Sequence, residues 1–175
     1  DAFDKDTQTT TLSVKDDVAV GALKVDAGTK YVVLDHTEGK EFVFGGLGGN
    51  VITGVDHVTT ITSDGEVTLG WDETSKGVVN AEKLVANELY VSGQFEANDV
   101  EVKSGTVEER GSLKLESLTQ ADGAVEGDTF EVSQGATLEV SYLAINTTLD
   151  EGSTLVLGDR LPVNPNARAP EDDVQ

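Results

Sequence analysis

Gly135-Ala136-Thr137-Leu138-Glu139-Val140 recurs seventeen residues later as Gly152-Ser153-Thr154-Leu155-Val156-Leu157, and Gly111-Ser112-Leu113-Lys114-Leu115 is a shorter relative. Each copy opens on a turn-forming Gly and then alternates, so Leu138 and Val140, like Leu155 and Leu157, share one face of a strand. A second echo starts at Ala86-Asn87-Glu88-Leu89-Tyr90-Val91 and returns eleven residues later as Ala97-Asn98-Asp99-Val100-Glu101-Val102. Such repeats predict a coil of short strands with Gly, Asn and Asp at the corners and apolar residues inside. The spacing is uneven, eleven in one place and seventeen in another, so a β-sandwich of hairpins is the competing reading for residues 80–160.

Upstream, Leu12-Ser13-Val14, Val18-Ala19-Val20 and Leu23-Lys24-Val25 alternate in the same way. Tyr31 to Leu34 and Phe42 to Phe44 flank a turn containing Gly39, and Val58 to Thr62 and Val67 to Leu69 flank Ser63-Asp64-Gly65. Both read as hairpins. Residues 15–79 are therefore expected to form an antiparallel sandwich or barrel. One weak helical pattern, Val78 to Glu88 with Ala81, Leu84 and Val85 on a face, competes with a strand over the same residues. The fold class that follows is all-β. Residues 1–14 make a polar N-terminal arm, and 161–175 an acidic tail holding all three prolines.

From about residue 80 the Gly-x-Thr-Leu-x-Val pattern resembles the parallel β-helix rungs of secreted bacterial surface proteins such as autotransporter passenger domains. The resemblance covers residues 80–158 and implies a β-solenoid in an extracellular setting.

Composition narrows the functions. The 175 residues carry 33 Asp and Glu against 12 Lys and Arg, a net charge of −21. Phosphate backbones and anionic membranes repel such a chain, so nucleic-acid partners and direct membrane insertion are not expected. No Cys is present, which removes disulfides, thiol catalysis and thiolate metal sites. No Met is present either, and the chain starts on a charged Asp1. Proteolytic processing, such as removal of a signal peptide, is the expectation.

The side chains that carry chemistry are sparse. His36 and His57 each follow an acid, Asp35 and Asp56, but neighbours in a strand point to opposite faces, so both histidines are expected as exposed turn residues. No catalytic residues and no enzymatic function are expected. Trp71, beside Asp72 and Glu73, is the single tryptophan and is expected to cap the core, with contact to a sugar as the alternative. Gly45 to Thr53 nearly matches a calcium-binding nonapeptide but has Asn50 where an Asp belongs, and reads as a loop or bulge. Calcium remains possible at Asp1, Asp4 and Asp6 or at Glu126 and Asp128, without a complete motif, and no cofactor is expected. Asn146-Thr147-Thr148 matches a glycosylation acceptor, a triplet common by chance.

These features lead to an expected non-enzymatic structural subunit of an extracellular or cell-surface assembly, a pilus-like filament, fibre or sheath. Its partners would be copies of itself or other subunits, joined by strand addition. The expected assembly arm is Thr7, Thr9, Thr10, Thr11, Leu12 and Val14, extended, β-prone and near an end. A virion head-decoration or fibre protein is the first alternative. An adhesin or calcium-dependent carbohydrate-binding module is the second.

Overall fold

A computed structural model describes residues 2–158, and among them there is no helix. The chain winds as a coil. Its first turn comprises β1 (Phe3–Asp4), β2 (Thr9–Val14), β3 (Val18–Val20) and β4 (Leu23–Lys24). The second comprises β5 (Tyr31–His36), β6 (Glu41–Phe44), β7 (Leu47–Asn50) and β8 (Ile52–Thr53), and the third β9 (Val58–Ser63), β10 (Glu66–Leu69) and β11 (Lys76–Val78). Then come β12 (Ala81–Val91), β13 (Gln94–Glu96), β14 (Asp99–Val107), β15 (Ser112–Gln120), β16 (Thr129–Val132), β17 (Thr137–Ala144), β18 (Asn146–Leu149) and β19 (Thr154–Leu157).

Each turn lays one strand on each of three faces. On the first face β2, β5, β9, β12, β14, β15 and β17 follow one another, all parallel. On the second, β3, β6, β10, β12, β14, β16 and β18 do the same. On the third, β7, β11, β13, β15, β17 and β19 stack, with β4 on β8 beside them. The long strands β12, β14, β15 and β17 each run through two faces. The result is a parallel β-solenoid and not a closed barrel. The single antiparallel pair among the described residues is β1 on β2.

The antiparallel sandwich or barrel expected for residues 15–79 is therefore corrected. β5 and β6 do not pair with each other across the His36–Lys40 turn; β5 pairs with β2 and β9, and β6 with β3 and β10. Gly and Asp turns specify a change of direction. Whether the chain folds back or rounds a corner depends on where the next apolar face finds cover. Here both edges of an interior strand are satisfied by the turns before and after it. No boundary falls near residue 80 either: β9 and β10 both pair with β12, and one core runs from Val14 to Val140. The weak helix is strand β12. The 161–175 tail lies outside the described residues.

The repeats acquire a physical meaning. The seventeen-residue echo is one full turn, with Thr137, Leu138, Glu139 and Val140 in register with Thr154, Leu155, Val156 and Leu157. Ser112 to Leu115 is the rung before, in register with Thr137 to Val140. The eleven-residue echo is not a turn; Ala86 pairs with Val102, not Ala97. It marks two different corners, where the Asn87 amide donates to the Asp64 carbonyl at 2.7 Å and the Asn98 amide to the Ala81 carbonyl at 2.8 Å.

Inward positions stack into ladders. Thr10, Val32, Ile61, Leu84, Val100, Leu118 and Leu143 are successive register partners on the first face. The second face stacks Val18, Phe42, Val67, Leu89, Gly105, Phe130 and Thr147. Each fully buried aliphatic or aromatic contributes about 1.5–3 kcal/mol of burial free energy. The second ladder also shows why size varies along it. Gly105 lies beneath the Phe130 ring, and a Cβ there would stand 2.9 Å from that ring and 2.5 Å from the Leu89 carbonyl oxygen.

Candidate functional site

The two ends of the coil differ from its walls. At the tail end, the last rung consists of the second half of β17 with β18 and β19. Each is paired on one side only among the described residues. Its inward residues are Leu143, Ile145, Thr147, Leu149, Leu155 and Leu157. Leu149 stacks on Val132 and Leu157 on Val140. Val132 and Val140 are fully buried, whereas Leu149 is 48% and Leu157 61% exposed. The same ladders go from dry to wet in one step because, among the described residues, no further rung lies over them. An apolar cross-section bordered by unpaired N–H and C=O groups is an edge poised for strand pairing.

At the head end the edge is partly covered. β1 lies antiparallel on the outer edge of β2, with Phe3 opposite Thr10 and Asp4 opposite Thr9, and the Thr11 amide donates to the Ala2 carbonyl at 2.9 Å. Thr10 points inward, so Phe3 shares its side and lies over the start of the core. A Cβ added at Gly28 would stand 3.8 Å from the Phe3 ring.

The residues expected as a free assembly arm are built into this end. Thr9, Thr10, Thr11, Leu12 and Val14 form β2, in parallel register with Tyr31 to His36, and Val14 is fully buried. Thr7 lies in the turn just before. Detaching them would unzip the first rung from the second. Thr9 to Val14 are thus a strand paired within the chain's own sheet.

The walls carry the charge. Glu41, Glu66 and Glu88 are successive register partners on the outside of the second face. The Thr68 hydroxyl donates to Glu41 Oε2 at 3.2 Å. Glu66 is held by a hydrogen bond with Glu41, by partial burial and by the charges of Glu41 and Glu88, and its pKa is pushed up to about 7. A raised carboxyl pKa favours the protonated group in the folded state. Stability from this site is thus complete below about 4.5, the usual value, and declines as the pH rises through about 7. Glu66→Gln is expected to stabilise the fold at pH 8 and to be neutral at pH 4.5. Solvent screening of this half-exposed side chain holds the gain to about 1 kcal/mol. Urea melts of both proteins at the two pH values check it, and an equal effect at both would overturn the ladder account.

The histidines separate. His36, expected as an exposed turn residue, is partly buried: Nδ1 lies 2.8 Å from the Lys40 carbonyl and Nε2 2.7 Å from the Ser63 hydroxyl. A carbonyl acceptor assigns the proton to Nδ1, so Ser63 donates to Nε2. Ser63 is 3% exposed and its oxygen also accepts the Gly65 amide at 3.2 Å. This pairing satisfies the polar groups of a corner. His57 is exposed and lines a groove of about 570 Å³ with Glu82, Glu96, Glu116, Glu139 and Lys114. No Phe, Tyr or Trp lines that groove.

Trp71 does not cap the core. It is 51% exposed and lies flat over Gly45, where a Cβ would collide with the indole. The Gly45–Thr53 stretch contains β7, whose pairing with β11 shifts register between Lys76 and Val78, as a bulge does. Asp4 accepts the Asp6 amide and Asp128 the Val125 amide, so both carboxylates shape turns. Among the described residues no group of three or more His, Asp or Glu is arranged to hold a metal ion.

Comparison with known proteins finds no matching family model, no matching curated protein and no matching solved structure.

Proposed function

We propose that the chain is a non-enzymatic structural subunit of an extracellular or cell-surface assembly, joined to its neighbours by strand addition at the open last rung. The observation that carries this reading is the wetting of the core ladders at Leu149 and Leu157, one register step beyond the fully buried Val132 and Val140. A neighbour that lays a strand on each face there removes apolar surface from water and satisfies the edge together. The strongly acidic walls support the same reading, because they keep copies apart sideways and leave the ends as the place to meet. The virion reading has the same support. The carbohydrate-binding alternative gains nothing from a groove without Phe, Tyr or Trp.

The test is electron cryo-microscopy of the protein as isolated from its source, beside a Leu149→Lys/Leu157→Lys variant returned to that source. Lysine at both positions puts charge on the apolar edge while lowering the overall negative charge, so added self-repulsion cannot explain a loss of assembly. The expected result is the chain inside an ordered filament or coat, and its absence from that assembly in the variant. A dispersed native protein, or a variant that assembles normally, would overturn the reading.

A further inference from the structure

Resting on the strand-addition reading, we infer that the partner of the open tail rung is the head rung of a second copy, and that β1 is the removable cover which controls it.

Three features select the head. The first is register. The head rung presents inward Thr10, Leu12, Val14, Val18, Val20 and Leu23 on the three faces where the tail presents Leu143, Ile145, Thr147, Leu149, Leu155 and Leu157. Placing one on the other continues the parallel stacking that joins every neighbouring rung inside the chain. A tail-to-tail contact would instead oppose antiparallel strands, which no rung of the solenoid does.

The second is charge. Residues 9–30 carry three Lys and three Asp, and residues 142–157 carry Asp150 and Glu151 with no base. Residues 31–141 carry 21 acids and six bases. With residues 1–8 (net −2) set aside the first rung is neutral, whereas the last rung, −2 over 16 residues, is as acidic per residue as the walls, −15 over 111. Coulomb repulsion thus opposes side-by-side and tail-to-tail contact and costs least where a tail meets a head. A head-to-tail contact is heterologous, so it leaves a free head and a free tail at each step and propagates as a filament.

The third is the cover itself. β1 is two residues long and occupies the outer edge of β2 at Thr9 and Thr10, the edge a tail rung would need. Among the described residues β3 and β4 have no such cover and are paired on one side only. The head is therefore blocked over part of one face by a short antiparallel segment whose loss leaves the first rung intact.

Because the chain has no cysteine, the cover can be locked. Asp4 and Thr9 are opposed in the antiparallel pair and point outward, so Asp4→Cys with Thr9→Cys places two thiols within disulfide reach. The full chain carrying both substitutions is followed by sedimentation velocity at high salt, oxidised and then reduced, together with a chain lacking residues 1–6. The expected result is end-to-end species for the reduced and shortened proteins, with at least tenfold weaker association when oxidised. Leu149→Lys/Leu157→Lys in the shortened chain should abolish it. Circular dichroism and a urea melt confirm that each variant is folded.

Association that is equal in the oxidised and reduced states would overturn the inference, since it would assign the contact to tails alone. Association that appears only when residues 159–175 are removed would assign the tail edge to that segment and also overturn it. A shortened, folded chain that stays monomeric would do the same. None of these touches the broader reading, which fails only if the native protein is dispersed or the tail variant assembles normally.

Discussion

Phe130→Ala is expected to lower the stability of the folded chain by about 3–5 kcal/mol, the largest effect of any single substitution considered. Phe130 is fully buried, and it stands in the second-face ladder between Gly105 and Thr147. A solenoid has little means of closing the hole. Backbone hydrogen bonds hold β14, β16 and β18 at a fixed spacing of about 4.8 Å, so the rungs cannot move together when the ring is removed. Nor can Gly105 fill the gap, since it has no side chain to move. Urea unfolding followed by far-ultraviolet circular dichroism measures the loss. A change under about 1 kcal/mol would mean that this part of the interior is not packed as described. Gly105→Ala is the reverse probe: it adds atoms where the ring and the Leu89 carbonyl already lie, and it should destabilise by about 1–3 kcal/mol.

Asn80→Ala should cost about 2–4 kcal/mol through a different mechanism. Asn80 is 8% exposed, and its side chain acts as a clip between turns. Its Oδ1 accepts the Ile52 amide at 3.0 Å, and its Nδ2 donates to the Ile52 and Asp56 carbonyls, each at 2.9 Å. Alanine leaves the Ile52 amide and carbonyl without those partners beside the core, and each orphaned buried group costs about 1–3 kcal/mol. Asn80→Asp keeps an acceptor for the amide but loses both donations and brings a charge into a dry corner, so it should be no milder. Hydrogen exchange provides the specific readout. Protection of the Ile52 amide should fall far more than that of core amides distant from this corner, such as Leu138. A uniform decrease would show loss of global stability without the proposed clip.

The candidate site was legible in part. Thr7 to Val14 reads as extended and β-prone because Thr favours strands and Leu12-Ser13-Val14 alternate, and Thr9 to Val14 form strand β2. Alternation says which residues share a face and nothing about what lies alongside, so it leaves open whether this segment pairs with its own sheet or a partner's; here Thr9 to Val14 pair with Tyr31 to His36. Leu149 and Leu157 gave no signal of their own. Leu155 and Leu157 look like Leu138 and Val140 in sequence, and they differ in having no later turn above them among the described residues. The glutamate ladder was equally invisible, because Glu41, Glu66 and Glu88 are far apart in the chain and meet only through register.

By itself the sequence determined the strand-forming segments, their inward and outward residues, the all-β class and the acidic character of the surface. Those properties come from neighbours one to four residues away: period-two alternation, Gly and Asn at corners, charge on the outward positions. It also determined one true turn length, the seventeen residues from Thr137 to Thr154, because that turn repeats its own pattern. Tertiary structure alone decided the rest. Leu84 pairs with Val100, yet Leu23 pairs with Ile52, so the length of a turn changes along the coil and no fixed period reveals it. Whether Gly39 and Gly65 close hairpins or round corners was decided by the rungs above and below, which supply hydrogen bonds to both strand edges and cover for one apolar face. The exposure of the last described rung and the cover on the first are likewise set by what stacks on each rung in space, which no local pattern records.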